Sequence, residues 1–451
     1  MRAIVIAFAA VATLAAADSQ LRERPAVLSL SLKRAVEIAV APEGNARVQI
    51  ADELIKQSES RAAESRAALL PNFDSSLNYS SNTRNLKTFG LDFSTLLPAG
   101  LNLHIPTLAG PFNIFDLRLS GAQSVFDFST IRRFQASRVG VQATKADAQG
   151  TRNQVADQVA RAYLAALRAE AALETAKSNV ELSEALVKLA NSQKAAGTGT
   201  GIEVTRAQVQ LANDRQRLTV ATNDRQRTHL QLMRAVGLKL DGEVELTDKL
   251  GYKPVDDMPA EQATKLAIES RPEWQAQKDR QSNARLGYSG TKWERLPSLA
   301  FYGDYGTTGT GIDSAIPTRT YGVSIKVPLF DGGRRDARRE EASSQLRSEE
   351  IRTRDLKEQI ELDVRVSLDS LRSADAQVTA AKDGLALAER ELEQARRRYE
   401  AGVTNSIEVT DAQTRLQRAR DNRIAALFAH NLARIDLNTA MGTIQDLVNT
   451  F

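Results

Sequence analysis

The fold is decided by the stretch Ala401-Gly402-Val403-Thr404-Asn405-Ser406-Ile407-Glu408-Val409-Thr410, because this stretch occurs twice. The earlier copy is Ala196-Gly197-Thr198-Gly199-Thr200-Gly201-Ile202-Glu203-Val204-Thr205, and its last four residues recur unchanged 205 positions later (407 − 202). Each copy places glycine in a turn between two long helical segments. Self-similarity at a fixed spacing indicates a duplicated structural unit. The sequence therefore predicts one helical hairpin built twice.

Two alanine-rich heptad seams precede these turns. Apolar residues recur alternately every four and three positions from Val155 to Val180, and again from Leu371 to Tyr399. The shared part of the two seams has the same offset of 205, since Ala166 corresponds to Leu371 (371 − 166). Alanine lets helix backbones approach closely, so the seams predict long helices packed side by side.

Four short segments between the helices alternate with a period of two. They are 72–81 and 115–120 in the first copy, and 298–305 and 319–327 in the second. Residues 83–111 are rich in proline and glycine and predict a loop. Alternation of apolar and polar residues is typical of outer-membrane barrel strands, and each strand alone also fits an ordinary half-buried sheet. On the barrel interpretation Asp116, Arg118 and Lys326 face the lumen, as solvated pore wall rather than as a binding site.

Composition and the first residues indicate an exported protein. The chain is 42% hydrophobic and 26% charged, with a net charge of +4 and interleaved signs, which argues against a nucleic-acid partner. Residues 1–17 have the basic start, apolar core and small-residue end of a signal peptide. The absence of cysteine excludes disulfides and a lipid anchored through cysteine. We expect a first repeat at 18–237, a linker at 238–259, a second repeat at 260–442 and a tail at 443–451.

The strand count predicts an oligomer. Four barrel strands cannot close around a pore, and an open sheet edge facing lipid leaves backbone groups unsatisfied. Three copies would supply twelve strands, enough for a water-filled lumen. The expected fold class is an α+β membrane protein, a homotrimeric twelve-stranded outer-membrane β-barrel continuous with a long α-helical barrel.

The order of these features carries a family resemblance. Leu70-Pro71, two strands, Phe126-Asp127, a long helix and the Ala-Gly turn are followed later by Leu296-Pro297, two strands, Phe330-Asp331 and the same turn. This duplicated order resembles the TolC-like outer membrane efflux protein family over nearly the whole mature chain. The resemblance implies a trimer in the outer membrane that extends into the periplasm, with an equatorial belt around residues 238–259. It also implies the exit channel of a tripartite efflux pump or type I secretion system.

The same resemblance implies partners and site residues. A periplasmic adaptor (membrane fusion) protein and an inner-membrane transporter of RND or ABC type dock at the helical tips. Acidic residues after each turn line the periplasmic gate, at the positions of Glu203, Glu408 and Asp411. Glu408 and Asp411 share one helix face, and an alternative is that these acids only stabilise the first helical turn through the helix dipole. The turns resemble the adaptor-contact motif, or are plain hairpin turns, and consist of Ala196, Gly197, Thr198, Ala401, Gly402 and Val403.

Other function classes find less support. His104, His229 and His430 are scattered without metal-ligand spacing, and we find neither a nucleophile elbow nor a phosphate loop, so we expect no enzyme, metal or cofactor. A non-conducting trimeric stalk or adhesin stays open as an alternative, although the duplicated strand pairs disfavour it. A soluble periplasmic adaptor would need compact β-rich domains around its hairpin, which the sequence does not offer.

Overall fold

A computed structural model describes residues 28–90, 107–254 and 258–450. The predicted signal peptide and His104 lie outside these ranges. Within them, none of the helices has both the length and the apolar character needed to cross a membrane. In chain order the elements are β1 (Leu28–Leu30), α1 (Leu32–Val40), α2 (Ala46–Ala67), β2 (Asn72–Asn85), a short 3-10 helix (Leu86–Phe89), β3 (Leu108–Phe126), α3 (Phe128–Ala195), α4 (Gly201–Val236), β4 (Val244–Leu246), α5 (Ala260–Ser270), α6 (Pro272–Trp293), β5 (Ser298–Gly309), β6 (Ile316–Lys326), α7 (Arg334–Glu400), α8 (Ser406–Met441) and α9 (Ile444–Thr450).

The duplication is visible in these bounds. α3 and α7 contain 68 and 67 residues, and each is followed by a turn and a 36-residue helix, α4 or α8. Both ends of α8 lie 205 residues after the ends of α4 (406 − 201 and 441 − 236). Each helix stops at a glycine with positive φ, Gly237 at 92° and Gly442 at 77°, a conformation that glycine adopts without steric cost.

The four longer strands form one antiparallel sheet in the order β2-β3-β5-β6. Its register aligns polar residues across all four strands, because Asp74 lies opposite Ser120, Ser120 opposite Asp304, and Asp304 opposite Thr320. Directly paired residues point to the same side of a sheet, so one face is polar. In the described part of the chain, the outer edges of β2 and β6 have no pairing strand.

The opposite face of this sheet is apolar and uncovered. Large side chains from all four strands point to it, which confirms the predicted alternation, and each is exposed to solvent in the single chain. They are Phe73, Leu77, Tyr79, Leu117, Leu119, Phe301, Tyr305, Tyr321, Val323 and Ile325.

The prediction of a loop over residues 83–111 was wrong at both ends. β2 continues to Asn85 and β3 already begins at Leu108. The register shifts between Asn82 and Arg84, opposite the Gly110-Pro111 pair. Proline has no N–H for the ladder, and a bulge lets the strands continue past it, so pairing between strands overrides the local loop signal.

The chain folds into two compact units. One unit contains the sheet and comprises residues 53–90, 107–146 and 274–355. The other comprises residues 28–52, 147–254, 258–273 and 356–450, and its core is built from α1, α3, α4 and α8 around fully buried Leu30, Tyr163 and Ile435.

A small parallel sheet completes the core of that second unit. β1 pairs with β4, which lies inside the segment 238–259 that was predicted to be a linker. Asp248 follows β4 and accepts hydrogen bonds from the Leu32 backbone N–H at 2.9 Å and from the Tyr163 hydroxyl at 2.7 Å. Burial and the Asp248 carboxylate raise the pKa of Tyr163, so this hydroxyl keeps its proton and remains a donor.

Candidate functional site

The two hairpin turns lie between long helices and are open to solvent. Gly197 follows α3 with φ 75°, and Gly402 follows α7 with φ 72°, both in the left-handed region. A Cβ at either position would meet no neighbour within 4 Å, so conformation rather than close packing requires glycine there. The six predicted tip residues are all exposed: Ala196, Gly197, Thr198, Ala401, Gly402 and Val403.

Glu203 is held by the residue that starts its own helix. The backbone N–H and the hydroxyl of Thr200 both donate to Glu203 Oε2, at 2.8 and 3.1 Å. The bond from the Thr200 N–H belongs to a capping box, in which a side chain three residues into a helix satisfies the N-cap backbone. The hydrogen bond from the Thr200 N–H, and a further one from the backbone of Ser406, lower the pKa of Glu203. Glu203 is therefore a carboxylate at neutral pH, and it lies beside the start of α8.

Glu408 lies in the first turn of α8 and also has partners. Its carboxylate accepts a hydrogen bond from the Thr404 hydroxyl and forms an ion pair with Arg398 at 3.2 Å. The helix itself starts at Asn405, whose side chain accepts from the Ile407 N–H at 3.0 Å. Asp411 follows three residues after Glu408 and is exposed. The structure thus places Glu203 and Glu408 at the starts of their two helices, with Asp411 one turn further along α8.

Tyr399 lies buried beneath these acids, and sequence analysis assigned it only to the heptad seam. Its backbone carbonyl accepts from Gln193 Nε2 at 3.2 Å, which connects the first hairpin to the second. Its hydroxyl is buried and makes no hydrogen bond within the described residues. Burial and the nearby charge of Glu203 raise the pKa of Tyr399, so the hydroxyl stays neutral.

A buried polar cluster joins α3, α4 and α8 roughly two to four helical turns from the tips. The Ser183 hydroxyl donates to Asp214 Oδ2 at 2.6 Å and accepts from Gln413 Nε2 at 2.6 Å. Gln210 Nε2 also lies 3.2 Å from Asp214 Oδ2. This cluster was not predicted from the sequence, although Ser183 continues the seam three residues after Val180 and a polar residue on a seam is a usable signal. Ser183, Asp214 and Gln413 are all buried.

The predicted lumen residues separate into two places on the polar sheet face. Arg118 lies 3.3 Å from Asp116 and also contacts Asp304, a partner that the sequence did not suggest. Lys326 is exposed at the far end of β6, opposite Ser298. Across the described residues, no group of three or more histidine or acidic side chains is arranged to hold a metal ion.

Comparison with known proteins now settles the family. The family model described as outer membrane efflux protein matches residues 38–238 and 263–443. The chain belongs to the outer membrane efflux protein family. This confirms the resemblance drawn from the duplicated strand, helix and turn order. As a member of a family of transport ducts, the efflux protein is located in the outer membrane and serves export.

Relatives and solved structures agree with this assignment. The pyoverdine export outer membrane protein OpmQ of Pseudomonas putida is 23% identical over 399 residues, covering 86% of this chain and 81% of its own. The alkaline protease secretion protein AprF of Pseudomonas aeruginosa is 23% identical over 338 residues, covering 73% and 69%. The CmeC outer membrane channel of Campylobacter jejuni superimposes with a TM-score of 0.77 at 16% identity, over 91% of this chain and 85% of that one. The open-state MtrE channel of Neisseria gonorrhoeae gives 0.76 at 17% identity, over 91% and 88%.

Proposed function

We propose that this efflux protein is a homotrimer whose sheets join into one twelve-stranded barrel in the outer membrane. The observation that carries the proposal is the uncovered apolar face of the sheet, together with its two unpaired edges. An apolar face with a polar reverse side fits a wall between lipid and a water-filled lumen. In lipid, each unsatisfied backbone group costs several kcal/mol, so the edges of β2 and β6 need partners from other copies.

Three copies satisfy both requirements. A four-stranded barrel has no lumen, whereas twelve strands leave room for water and solute. The long helices α3, α4, α7 and α8 would then continue the duct as a periplasmic α-helical barrel, with the two repeats, 18–237 and 260–442, alternating around it. Residues 238–259, with β4, would form part of an equatorial belt. On the lumen side of the sheet, Asp116, Arg118 and Lys326 would line the wall.

We further propose that the acidic residues near the tips form the periplasmic gate. Glu203, Glu408 and Asp411 occur three times each in a trimer, which gives a narrow ring of carboxylates. Rings of carboxylates favour cations over anions in a pore. The lowered pKa of Glu203 keeps its charge at neutral pH. The capping of Glu203 and the ion pair of Glu408 with Arg398 also stabilise the starts of α4 and α8. A role of these acids in the gate is therefore compatible with a role in helix stability.

The exposed turns are the proposed contact with partners. A periplasmic adaptor would contact Ala196, Gly197, Thr198, Ala401, Gly402 and Val403, and an inner-membrane transporter of RND or ABC type would deliver the substrate. The relatives' names include pyoverdine export and alkaline protease secretion, so related ducts serve different cargoes. Substrate choice is therefore assigned to the transporter rather than to the duct.

Single-channel recording tests this function. Purified full-length protein in a planar bilayer should give discrete cation-selective openings. The double variant Glu408→Gln/Asp411→Asn should lower the cation-to-anion permeability ratio by at least about twofold, because the ring loses charge. The matched control Asp383→Asn/Glu389→Gln removes the same charge from exposed positions on α7 away from the tips and should leave the ratio unchanged. Unchanged selectivity in the tip variant would reject the gate, and absence of conductance would favour the non-conducting stalk.

A further inference from the structure

The boundary between strands and helices in the sheet-containing unit carries a feature that a duct does not explain. β3 ends at Phe126 and α3 begins at Phe128, while α6 ends at Trp293. The rings of Phe126 and Phe128 meet edge to face with centroids 4.4 Å apart, and Phe128 lies 5.3 Å from Trp293. All three are partly exposed. Aromatic clusters at the end of an apolar band are typical of the membrane–water interface.

Basic residues are concentrated on the helical side of these rings. The boundary segments 66–72, 126–133, 292–298 and 328–339 hold nine basic and four acidic residues. The described segments at the opposite end of the strands, 81–90, 107–113 and 305–319, hold three basic residues and one acidic residue. We name the nine basic residues the junction collar: Arg66, Arg132, Arg133, Lys292, Arg295, Arg334, Arg335, Arg338 and Arg339.

Acidic neighbours balance the collar only in part. Glu294 forms ion pairs with both Arg133 at 2.9 Å and Arg338 at 3.4 Å. The Glu294 side chain is 12% exposed, whereas those of Arg133 and Arg338 are 58% and 44% exposed. One carboxylate thus orients two guanidinium groups that still face solvent. Arg335, by contrast, is 13% exposed and pairs with Asp331 at 2.8 Å. With nine basic against four acidic residues, the boundary segments keep a net positive charge.

Helix stability does not account for this charge. Arg334, Arg335, Arg338 and Arg339 all lie within the first two turns of α7, and in the first of these turns the partial positive charge of the helix dipole disfavours cations. Asp336 is the acidic residue of the first turn, and it contacts Arg295. Two of these arginines already have acidic partners, Arg335 with Asp331 and Arg338 with Glu294, and the net positive charge that remains favours a further partner that is negatively charged.

We propose that the junction collar binds the phosphate groups of anionic phospholipids in the inner leaflet of the outer membrane. The inference rests on the proposed function, because the sheet must cross the membrane for the collar to lie at the headgroups. Arginine stems extend along apolar and aromatic surface, and the guanidinium fork matches the oxygens of a phosphate. Basic clusters beside a membrane attract anionic lipids electrostatically. The collar would set the depth of the barrel and recruit a lipid belt around it.

The test counts the lipids that the full-length protein retains. Protein reconstituted in vesicles of equal phosphatidylglycerol and phosphatidylcholine is extracted in mild detergent and analysed by native mass spectrometry. The collar variant carries Arg→Gln at Arg133, Arg334, Arg338 and Arg339. The control carries Arg→Gln at Arg347, Arg352, Arg354 and Arg365, which removes the same charge from exposed positions further along α7.

Wild type and control should retain phosphatidylglycerol over phosphatidylcholine by at least about threefold, and the collar variant should lose this preference. A collar variant that prefers phosphatidylglycerol as strongly as the wild type does would overturn the proposal. So would a wild type without this preference. Raising the salt concentration should reduce the wild-type preference, because ions screen exposed charges, and a salt-independent preference would also contradict it. This salt series needs no variant and stays informative if the collar variant misfolds.

Two further outcomes distinguish lipid binding by the collar from a role at the subunit interface and from the proposed function itself. A collar variant that loses its trimeric mass but keeps the lipid preference would show that the collar is a subunit interface. Conductance is recorded on the same samples. A wild type without channels would reject the proposed function itself, whereas a conducting wild type without lipid preference would reject the collar alone.

Discussion

The buried cluster around Asp214 gives the sharpest prediction about the tip-proximal helices. In the variant Asp214→Ala the Ser183 hydroxyl loses its acceptor at 2.6 Å, and Gln210 Nε2 loses one at 3.2 Å. A hydrogen bond to a charged group contributes about 1.5–3 kcal/mol, and a stranded buried donor costs a further ~1–3 kcal/mol. Since these costs overlap, we expect local destabilisation of about 3 kcal/mol.

Hydrogen exchange of backbone amides measures this effect where it should occur. A loss of about 3 kcal/mol in local opening free energy corresponds to roughly 100-fold faster exchange. We expect this acceleration in the part of α3 around Ser183 and the part of α8 around Gln413. Asp214→Asn keeps one acceptor oxygen and should fall between the wild type and the alanine variant.

The control uses an acid on the same helix. Asp224 pairs with Arg227 at 3.0 Å, but both side chains are largely exposed, so Asp224→Ala should cost under ~1 kcal/mol. Exchange in Asp214→Ala that stays within about threefold of the wild type would refute the reasoning. That result would mean that the cluster does not hold α3, α4 and α8 together.

Three further predictions concern single side chains. Tyr163→Phe removes the donor to Asp248 and should destabilise the protein by about 1–2 kcal/mol, seen as a lower Tm in detergent. Tyr399→Phe should leave Tm within experimental error, because the buried hydroxyl makes no hydrogen bond among the described residues. Burial and the charge of Arg434 lower the pKa of His430 below its usual 6.5, although Asp375 opposes this. The unfolded chain therefore binds more protons at acid pH, so Tm should fall as pH decreases below about 6.5, and His430→Gln should reduce that fall.

The helices and strands were predictable because their signals are local and occur twice. The seams through Val155 and Leu371 give the long helices, and the glycine turns give their ends. The alternation in β6 gives the apolar sheet face. The capping box was also readable, since Thr200 and Glu203 have the required spacing.

The remaining features depend on contacts between distant residues. Pairing with β2 and β5 extends β3 across Gly110-Pro111, against the local preference for a loop. β4 has three residues and acquires its strand geometry only by pairing with β1, more than 200 positions earlier. The partner of Arg118 is Asp304, 186 residues away, and no local pattern predicts it. The candidate site depends on both local signals and distant contacts. Glu203 is capped by Thr200, which lies three residues away, but it also lies beside α8, which begins about 200 residues later.

Closure of the sheet between copies is the claim on which the duct depends, and cysteine cross-linking tests it directly. The chain has no cysteine, so any disulfide comes from introduced residues. One variant places cysteine at Ser76 on the open edge strand β2 and at Thr318, Thr320 or Gly322 on the other edge strand, β6. Oxidation in native membranes should give covalent trimers on non-reducing gels, with dimers as intermediates, for at least one of the three pairs. Cross-linked species that remain monomeric, or that extend beyond three chains, would contradict a closed trimeric barrel.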